Sequence, residues 1–103
     1  RPRHTDKKIF YTIDVSKGRE LHKIYTVDIN GEERYETLEM EPIRIFGVAH
    51  KNNTIAYSGA SINENLLAIG EDGGKAEKVY SSDRWIFVSD MDDKYIIGAG
   101  TLA

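Results

Sequence analysis

One short run of small residues, Ser58-Gly59-Ala60-Ser61, invites comparison with the nucleophile of a serine hydrolase. That nucleophile normally lies in a G-x-S-x-G sequence, at a sharp turn between a strand and a helix. Here the first glycine is missing, and the run lies at the end of a strand-like alternation. We therefore predict strand-edge and turn serines, and we assign no catalytic residue to this chain.

Residues of the types that can bind metals or phosphates are scattered along the sequence. His4, His22 and His50 fall in three separate elements, without the clustered spacing of metal ligands. Residues 90–93 (DMDD) resemble the start of a calcium loop but lack its turn glycine and its distal glutamate. Residues 70–75 contain glycines and a lysine without the P-loop spacing, so a hairpin turn explains them. We predict no metal site and no cofactor.

Charge and composition exclude several classes of partner. The chain has 14 Lys and Arg against 17 Asp and Glu, a net charge of −3, whereas a nucleic-acid-binding face is strongly basic. Cysteine is absent, which excludes a disulfide scaffold. The apolar runs are too short for a membrane span or a signal peptide. We expect a cytoplasmic protein that binds neither nucleic acid nor membrane.

The elements that must position any functional residue are predicted to be β-strands. Isoleucine, valine, threonine and tyrosine are abundant, and their side chains fit a pleated sheet better than a helix. Asn30-Gly31 and Asp72-Gly73 supply the positive φ angles of hairpin turns, so consecutive strands are expected to pair antiparallel. Nine strands are predicted, at 8–13, 22–29, 34–38, 44–49, 54–59, 65–70, 76–80, 85–90 and 95–99.

Three internal matches, between segments 40 to 46 residues apart, indicate the architecture. In the first match Val48 lies over Val88, and in the second Gly31 lies over Gly73. A repeated four-stranded unit of about 40–45 residues is typical of a β-propeller blade. The matched segments are 44–60 with 84–100, 24–38 with 66–80, and 9–11 with 55–57.

These matches predict an all-β fold, a fragment of a β-propeller with four-stranded antiparallel blades. Residues 7–40 supply the last three strands of one blade, 43–81 a complete blade, and 84–103 the first two strands of the next. Segment 61–70 also matches a helix capping box, S-x-x-E, but the repeats favour a strand there. Propellers have four or more blades, so about two and a quarter blades indicate part of a longer chain.

Five motifs carry a resemblance to a known family. They resemble the N-terminal propeller of archaeal acylaminoacyl peptidases, which are members of the prolyl oligopeptidase family of serine hydrolases. The motifs follow one another in the same order as in that family and at nearly the same spacing, along most of the chain. The motifs are DVSKG (14–18), IRI (43–45), YSGA (57–60), FVSD (87–90) and IGAG (97–100).

The resemblance implies a two-domain enzyme. A C-terminal α/β-hydrolase domain would carry a Ser, Asp and His triad, and the propeller would cover it as a lid that admits short N-acylated peptides. The matching region contains none of the triad, so no triad member is transferred to a residue here. The implied partners are the hydrolase domain, the remaining blades and short acylated peptides, and a homo-oligomer stays an open alternative.

Two residues are candidates for contact with substrate. Trp85, the only tryptophan, opens the strand that the repeats make innermost in its blade. In the resembling family an aromatic side chain near this place approaches the substrate pocket, which implies that Trp85 walls in an apolar acyl-peptide group. The alternative for Trp85 is packing between blades. Arg44, at the start of the corresponding earlier strand, would contact peptide carbonyls or the partner domain; a rim salt bridge is its alternative.

Two other classes of function stay open. One is a propeller-type interaction module, similar to TolB propellers, with no hydrolase partner. The other is an independent small β protein whose repeats are coincidental. The sequence downstream of Ala103 would discriminate among them, because further blades followed by G-x-S-x-G, Asp and His would establish the hydrolase.

Overall fold

The computed structural model describes residues 8–28 and 33–100. These residues form strands and turns without a helix, which confirms the predicted all-β class. None of them forms a helix able to cross a membrane. The strands are β1 (Lys8–Asp14), β2 (His22–Asp28), β3 (Glu33–Glu36), β4 (Leu38–Glu39), β5 (Arg44–Lys51), β6 (Thr54–Ala60), β7 (Asn65–Glu71), β8 (Gly74–Lys75), β9 (Glu77–Ser82), β10 (Ile86–Met91) and β11 (Ile96–Gly100).

Three antiparallel sheets follow one another along the chain. The first sheet has the order β1-β2-β3, the second β5-β6-β7-β9, and the third β10-β11. In all three, neighbouring strands pair antiparallel, and all but β7 and β9 are also consecutive in sequence. A succession of such sheets, packed face against face, is consistent with a fragment of a β-propeller.

Strand β6 of the second sheet is buried on both of its faces. Ile55 and Tyr57 point into a core that includes Ile24 of the first sheet. Ala56, between them, points the other way into a core that includes Val88 of the third sheet. Because successive strand residues face opposite sides, an uninterrupted apolar run such as this one fits only a strand between two layers.

A β-bulge in β5 keeps its side chains in the correct layers. The register shifts between Ile45 and Gly47, which leaves Phe46 as an extra residue. Ile45 and Val48 pack against the same core although they are three residues apart. In a regular strand, residues at an odd separation face opposite sides, so the extra residue is what brings both to one core. β10 has a register shift of the same kind between Val88 and Asp90.

The predicted strand 34–38 is interrupted, contrary to expectation. β3 ends at Glu36, and β4 pairs in parallel with β8 in a separate two-stranded sheet, where only antiparallel hairpin pairs were predicted. Leu38 is 1% exposed and lies in the core between the first and second sheets. The carbonyl of Thr37 accepts a hydrogen bond from Gly73 N at 2.8 Å. Burial of Leu38 against the second sheet therefore outweighs continuation of β3.

The turn predictions have mixed outcomes. Gly73 has a φ of 88°, the positive value expected for its hairpin, whereas Asn30-Gly31 lies outside the described residues. Segment 65–70 is a strand, so the helix alternative is wrong. β10 begins at Ile86, one residue later than predicted, and Trp85 immediately precedes it.

Candidate substrate-facing site

Trp85 belongs to a group of three aromatic rings that joins the second sheet to the third. The indole lies 5.8 Å from the Phe46 ring and 6.0 Å from the Phe87 ring, centroid to centroid. The Phe46 and Phe87 rings are 5.5 Å apart. All three distances fall in the range of favourable aromatic pairs. In this aromatic cluster (Phe46, Trp85, Phe87), Trp85 remains 56% exposed, so part of the indole is held by protein and part faces solvent.

Two contacts at Val88 set the spacing between β5 and β10. Val88 N donates a hydrogen bond to Ser58 Oγ at 2.9 Å, and Ser58 is fully buried. On the β5 side, a Cβ added to Gly47 would lie 2.1 Å from the Val88 carbonyl oxygen. Because glycine has no Cβ, the two backbones approach closely enough for the Phe46 ring to reach Trp85.

Arg44 is the first residue of β5, exposed, and paired with Ala60. It is two residues from Phe46, so its guanidinium-bearing side chain and the aromatic cluster belong to the same end of the strand. An open, mainly apolar cleft of about 490 Å³ lies beside it, bordered by Ile43 and by the 95% exposed Ile62. A guanidinium beside apolar surface suits the binding of peptide carbonyls or of another domain.

A second cleft, with Trp85 among its lining residues, opens between the second and third sheets. Its volume is about 360 Å³, and its lining is mainly apolar, with Leu67, Val88 and Ile96 among the contributing side chains. Small residues of β11, such as Gly98, keep the cleft open on its third-sheet side. Pockets lined by apolar groups with few polar ones bind apolar parts of ligands.

The sequence that forms this site matches a known protein family. The profile described as acylamino-acid-releasing enzyme-like, N-terminal domain, matches residues 1–103. The chain belongs to that family. The resemblance seen in the sequence motifs is thereby confirmed at the level of this domain family.

In this acylamino-acid-releasing enzyme-like domain, the DVSKG motif is a loop organised by one carboxylate. Asp14 Oδ1 accepts hydrogen bonds from the backbone and hydroxyl of Ser16, at 2.8 and 2.7 Å. Asp14 Oδ2 accepts from Gly18 N at 3.2 Å and from Glu20 N at 3.1 Å. These bonds, the Ser16 hydroxyl first, lower the pKa of Asp14 to about 2. The motif therefore closes the connection from β1 to β2.

The YSGA motif also has a structural explanation. Ser58, considered above as a nucleophile, is the buried acceptor for Val88 N, so its hydroxyl joins two sheets. A Cβ on Gly59 would lie 2.3 Å from the Arg44 carbonyl oxygen, so this position also depends on the absence of a side chain. The serine of this motif is thus a packing residue of the domain.

The acidic hairpin at 90–93 uses its carboxylates in its own turn. Asp92 Oδ1 accepts hydrogen bonds from Lys94 N at 2.8 Å and Tyr95 N at 2.7 Å, which lower the pKa of Asp92. Asp90 Oδ1 accepts from Met91 N at 2.8 Å. In the part of the chain that the structure describes, no group of three or more His, Asp or Glu side chains could hold a metal ion.

The histidines are used in packing. His22 Nδ1 accepts a hydrogen bond from Ile45 N at 3.3 Å, which joins β2 to β5. The His50 ring lies 4.7 Å from the Phe10 ring, between the same two sheets. His4 lies outside the described residues.

A buried ionic contact also joins the first two sheets. Asp72, whose side chain is 4% exposed, accepts hydrogen bonds at Oδ2 from Lys8 Nζ at 2.8 Å and from Tyr35 OH at 3.0 Å. The hydrogen bond to Asp72 is the main reason that the pKa of Lys8 is raised. We call these three residues the sheet joint (Lys8, Tyr35, Asp72).

Several of these residues were not predicted from the sequence. Phe46 and Phe87 could have been noticed as aromatic residues on the strands headed by Arg44 and Trp85. The contact between them depends on the distance between two sheets, which no local pattern contains. Lys8 and Asp72 are 64 positions apart and gave no sequence signal.

Proposed function

We propose that this domain is the non-catalytic propeller portion of an acylaminoacyl peptidase-like serine hydrolase of the prolyl oligopeptidase family, similar to the archaeal enzymes. In this proposal it covers the active site of a separate α/β-hydrolase domain in the same protein. It admits short N-acylated peptides and keeps larger substrates away. Its other partners are the remaining blades.

The observation that carries the proposal is the family match over residues 1–103. Two features of the structure support it. The described residues form successive antiparallel sheets of the kind that build a propeller. The serine that comes nearest to a nucleophile motif, Ser58, is buried and hydrogen-bonded to Val88 N. The chemistry is therefore assigned to the other domain, and binding to this one.

Within this proposal, Trp85 and Arg44 are the residues that meet substrate or the hydrolase domain. The exposed part of the Trp85 indole walls in an apolar acyl or side-chain group. Arg44 donates hydrogen bonds to peptide carbonyls or to the facing domain. Arg44 begins β5 of the second sheet, and Trp85 immediately precedes β10 of the third.

The activity is tested on the complete protein that contains this domain. We expect release of the acyl amino acid from short N-acetylated peptide anilides, and no release from a long unfolded protein carrying the same acetylated N-terminus. Equal rates on both substrates would contradict gating. Complete inactivity on the short substrate, with the protein folded, would favour the interaction module.

The site is tested with Trp85→Ala in the same protein. We expect KM for an apolar acyl-peptide substrate to rise about tenfold, as for the loss of an aromatic contact worth about 1.4 kcal/mol. Tyr95→Ala is the control, because Tyr95 is also exposed (67%) but follows the acidic hairpin at the other end of β10. An unchanged KM in Trp85→Ala would assign Trp85 to packing between sheets.

A further inference from the structure

The bulge of β5 aims one aromatic side chain at Trp85. Phe46 is the residue left unpaired where the register shifts between Ile45 and Gly47. A bulge bends its strand, increases its twist and redirects the side chain at the extra position, and such bulges are frequent beside active sites. The Phe46 ring here contacts both Trp85 and Phe87 across the gap between sheets.

The backbone beneath Phe46 is held in place from two directions. Gly47 packs directly against the Val88 carbonyl, and the Val88 amide donates to the buried Ser58 hydroxyl. The hydrogen bond ties β10 to Ser58 of β6, and Ser58 is paired with Gly47 of β5, so β5 is held to β10 through β6. β5 cannot come closer to β10 without a steric clash between Gly47 and the Val88 carbonyl. Phe46 consequently projects from a fixed position.

Trp85 immediately precedes β10, and more than half of its surface is exposed. The Phe87 ring, which contacts the indole, comes from the same segment as Trp85. Phe46 is the ring of the cluster that belongs to a different sheet.

We infer that Phe46 is a positioning residue that fixes the Trp85 indole in the orientation in which it receives the apolar group of the substrate. The inference rests on the proposed contact between Trp85 and substrate. Phe46 acts through Trp85, by restricting its rotation before binding. Restricting a binding side chain in advance lowers the entropic cost of binding, so the effect belongs in KM.

The experiment compares Phe46→Leu, Phe46→Tyr and Phe10→Leu in the complete protein. Leucine keeps an apolar side chain at the bulge but removes the ring, so KM for an apolar acyl-peptide substrate should rise about 2- to 10-fold at unchanged kcat. Tyrosine keeps the ring and should restore KM. Phe10→Leu removes a ring that packs on His50 between the first two sheets and should leave KM unchanged.

A second readout follows the indole itself. With 5-fluorotryptophan incorporated, the ¹⁹F signal of Trp85, assigned by its loss in Trp85→Phe, should broaden or shift in Phe46→Leu and return in Phe46→Tyr. An unchanged signal, or an unchanged KM in Phe46→Leu while Trp85→Ala raises KM, would overturn the inference and leave the proposed function standing. An unchanged KM in Trp85→Ala would overturn the role of both residues.

Discussion

At the scale of the residue, hydrogen bonds from the backbone explain the acidic residues of two turns, one in the DVSKG motif and one in the acidic hairpin at 90–93. Asp14 and Asp92 are both exposed carboxylates that accept two or more bonds from turn amides, and both have a lowered pKa. A carboxylate in such a turn satisfies backbone donors that no strand partner reaches. These acidic residues are therefore accounted for by folding rather than by chemistry on a substrate.

The first prediction concerns Ser16→Ala. Since the Ser16 hydroxyl is the largest cause of the low pKa, its removal should raise the pKa of Asp14 from about 2 toward its ordinary value of 3.8. Carboxyl NMR titration of the complete protein measures this, and Asp92 should titrate as before. A titration of Asp14 that stays near 2 would show that the backbone amides alone hold its charge.

The lowered pKa of Asp14 predicts how the stability of the loop at 14–20 depends on pH. The pKa of Asp14 is lower in the folded than in the unfolded state, so its contribution to stability is complete above about pH 4. It is lost as the pH falls toward 2. Hydrogen exchange of residues 14–20, corrected for the intrinsic rate, should show the loop opening in this range. In Asp14→Asn, loop opening should lose this pH dependence.

At the scale of the element, the close contact between β5 and β10 is the feature on which the site depends. A Cβ at Gly47 would meet the backbone of Val88, which cannot rotate away as a side chain can. The aromatic cluster above this contact exists only while the two strands keep their spacing. The position of the Trp85 indole therefore depends on the separation between β5 and β10.

The second prediction is that Gly47→Ala destabilises the junction between the second and third sheets by about 1–3 kcal/mol, the usual cost of overpacking. Hydrogen exchange of 44–51 and 86–91 in the complete protein measures it, and KM should rise as in Trp85→Ala. Gly100→Ala is the matched control, since its Cβ would lie 3.4 Å from the nearest atom, an ordinary contact. Equal protection in the two variants would contradict the close-contact argument.

At the scale of the whole molecule, the sheets are joined mainly by burial and at a few polar points. The sheet joint places a nearly buried carboxylate between two layers, with Lys8 Nζ and Tyr35 OH on Oδ2 of Asp72. Removing the Lys8 ammonium leaves a nearly buried negative charge with the neutral Tyr35 hydroxyl on the same oxygen, and the loss of one ionic partner costs more than the loss of both.

The third prediction follows from this asymmetry. Lys8→Met should destabilise the contact between the first two sheets by about 1–3 kcal/mol, and Lys8→Met with Asp72→Asn should recover part of the loss. Lys78→Met is the control: its pair with Glu64 is much more exposed and should contribute less than about 1 kcal/mol. A double variant less stable than Lys8→Met, by thermal unfolding, would contradict the prediction.

The fourth prediction concerns residues 1–103 in isolation. Val79, Tyr80, Tyr95 and Ile97 are each more than half exposed, on strands of the second sheet or on and beside β11. Among the described residues, β9 and β11 are edge strands of their sheets. Exposed apolar side chains on edge strands recruit other chains. The isolated domain should therefore self-associate, with a sedimentation coefficient that rises with concentration. A concentration-independent monomer would favour an independent interaction module.

The fold class and most of the strands could be predicted from the sequence. Alternation of side chains and the turn at Asp72-Gly73 are local properties, so eight of the nine predicted segments correspond to strands within a residue or two at most ends. The segment 34–38 was the exception, because Leu38 is buried in a core that includes residues of another sheet. Local alternation carries no information about which sheet will bury a side chain.

The surroundings of the candidate residues could not be predicted from the sequence, because they depend on how the sheets pack. Arg44 and Trp85 were chosen from the sequence, but the ring of Phe46 against the indole depends on a bulge and on Gly47 meeting Val88. These contacts join residues about 40 positions apart, through distances between sheets. Such distances result from packing of the whole chain, since each sheet settles where its buried faces fit its neighbours.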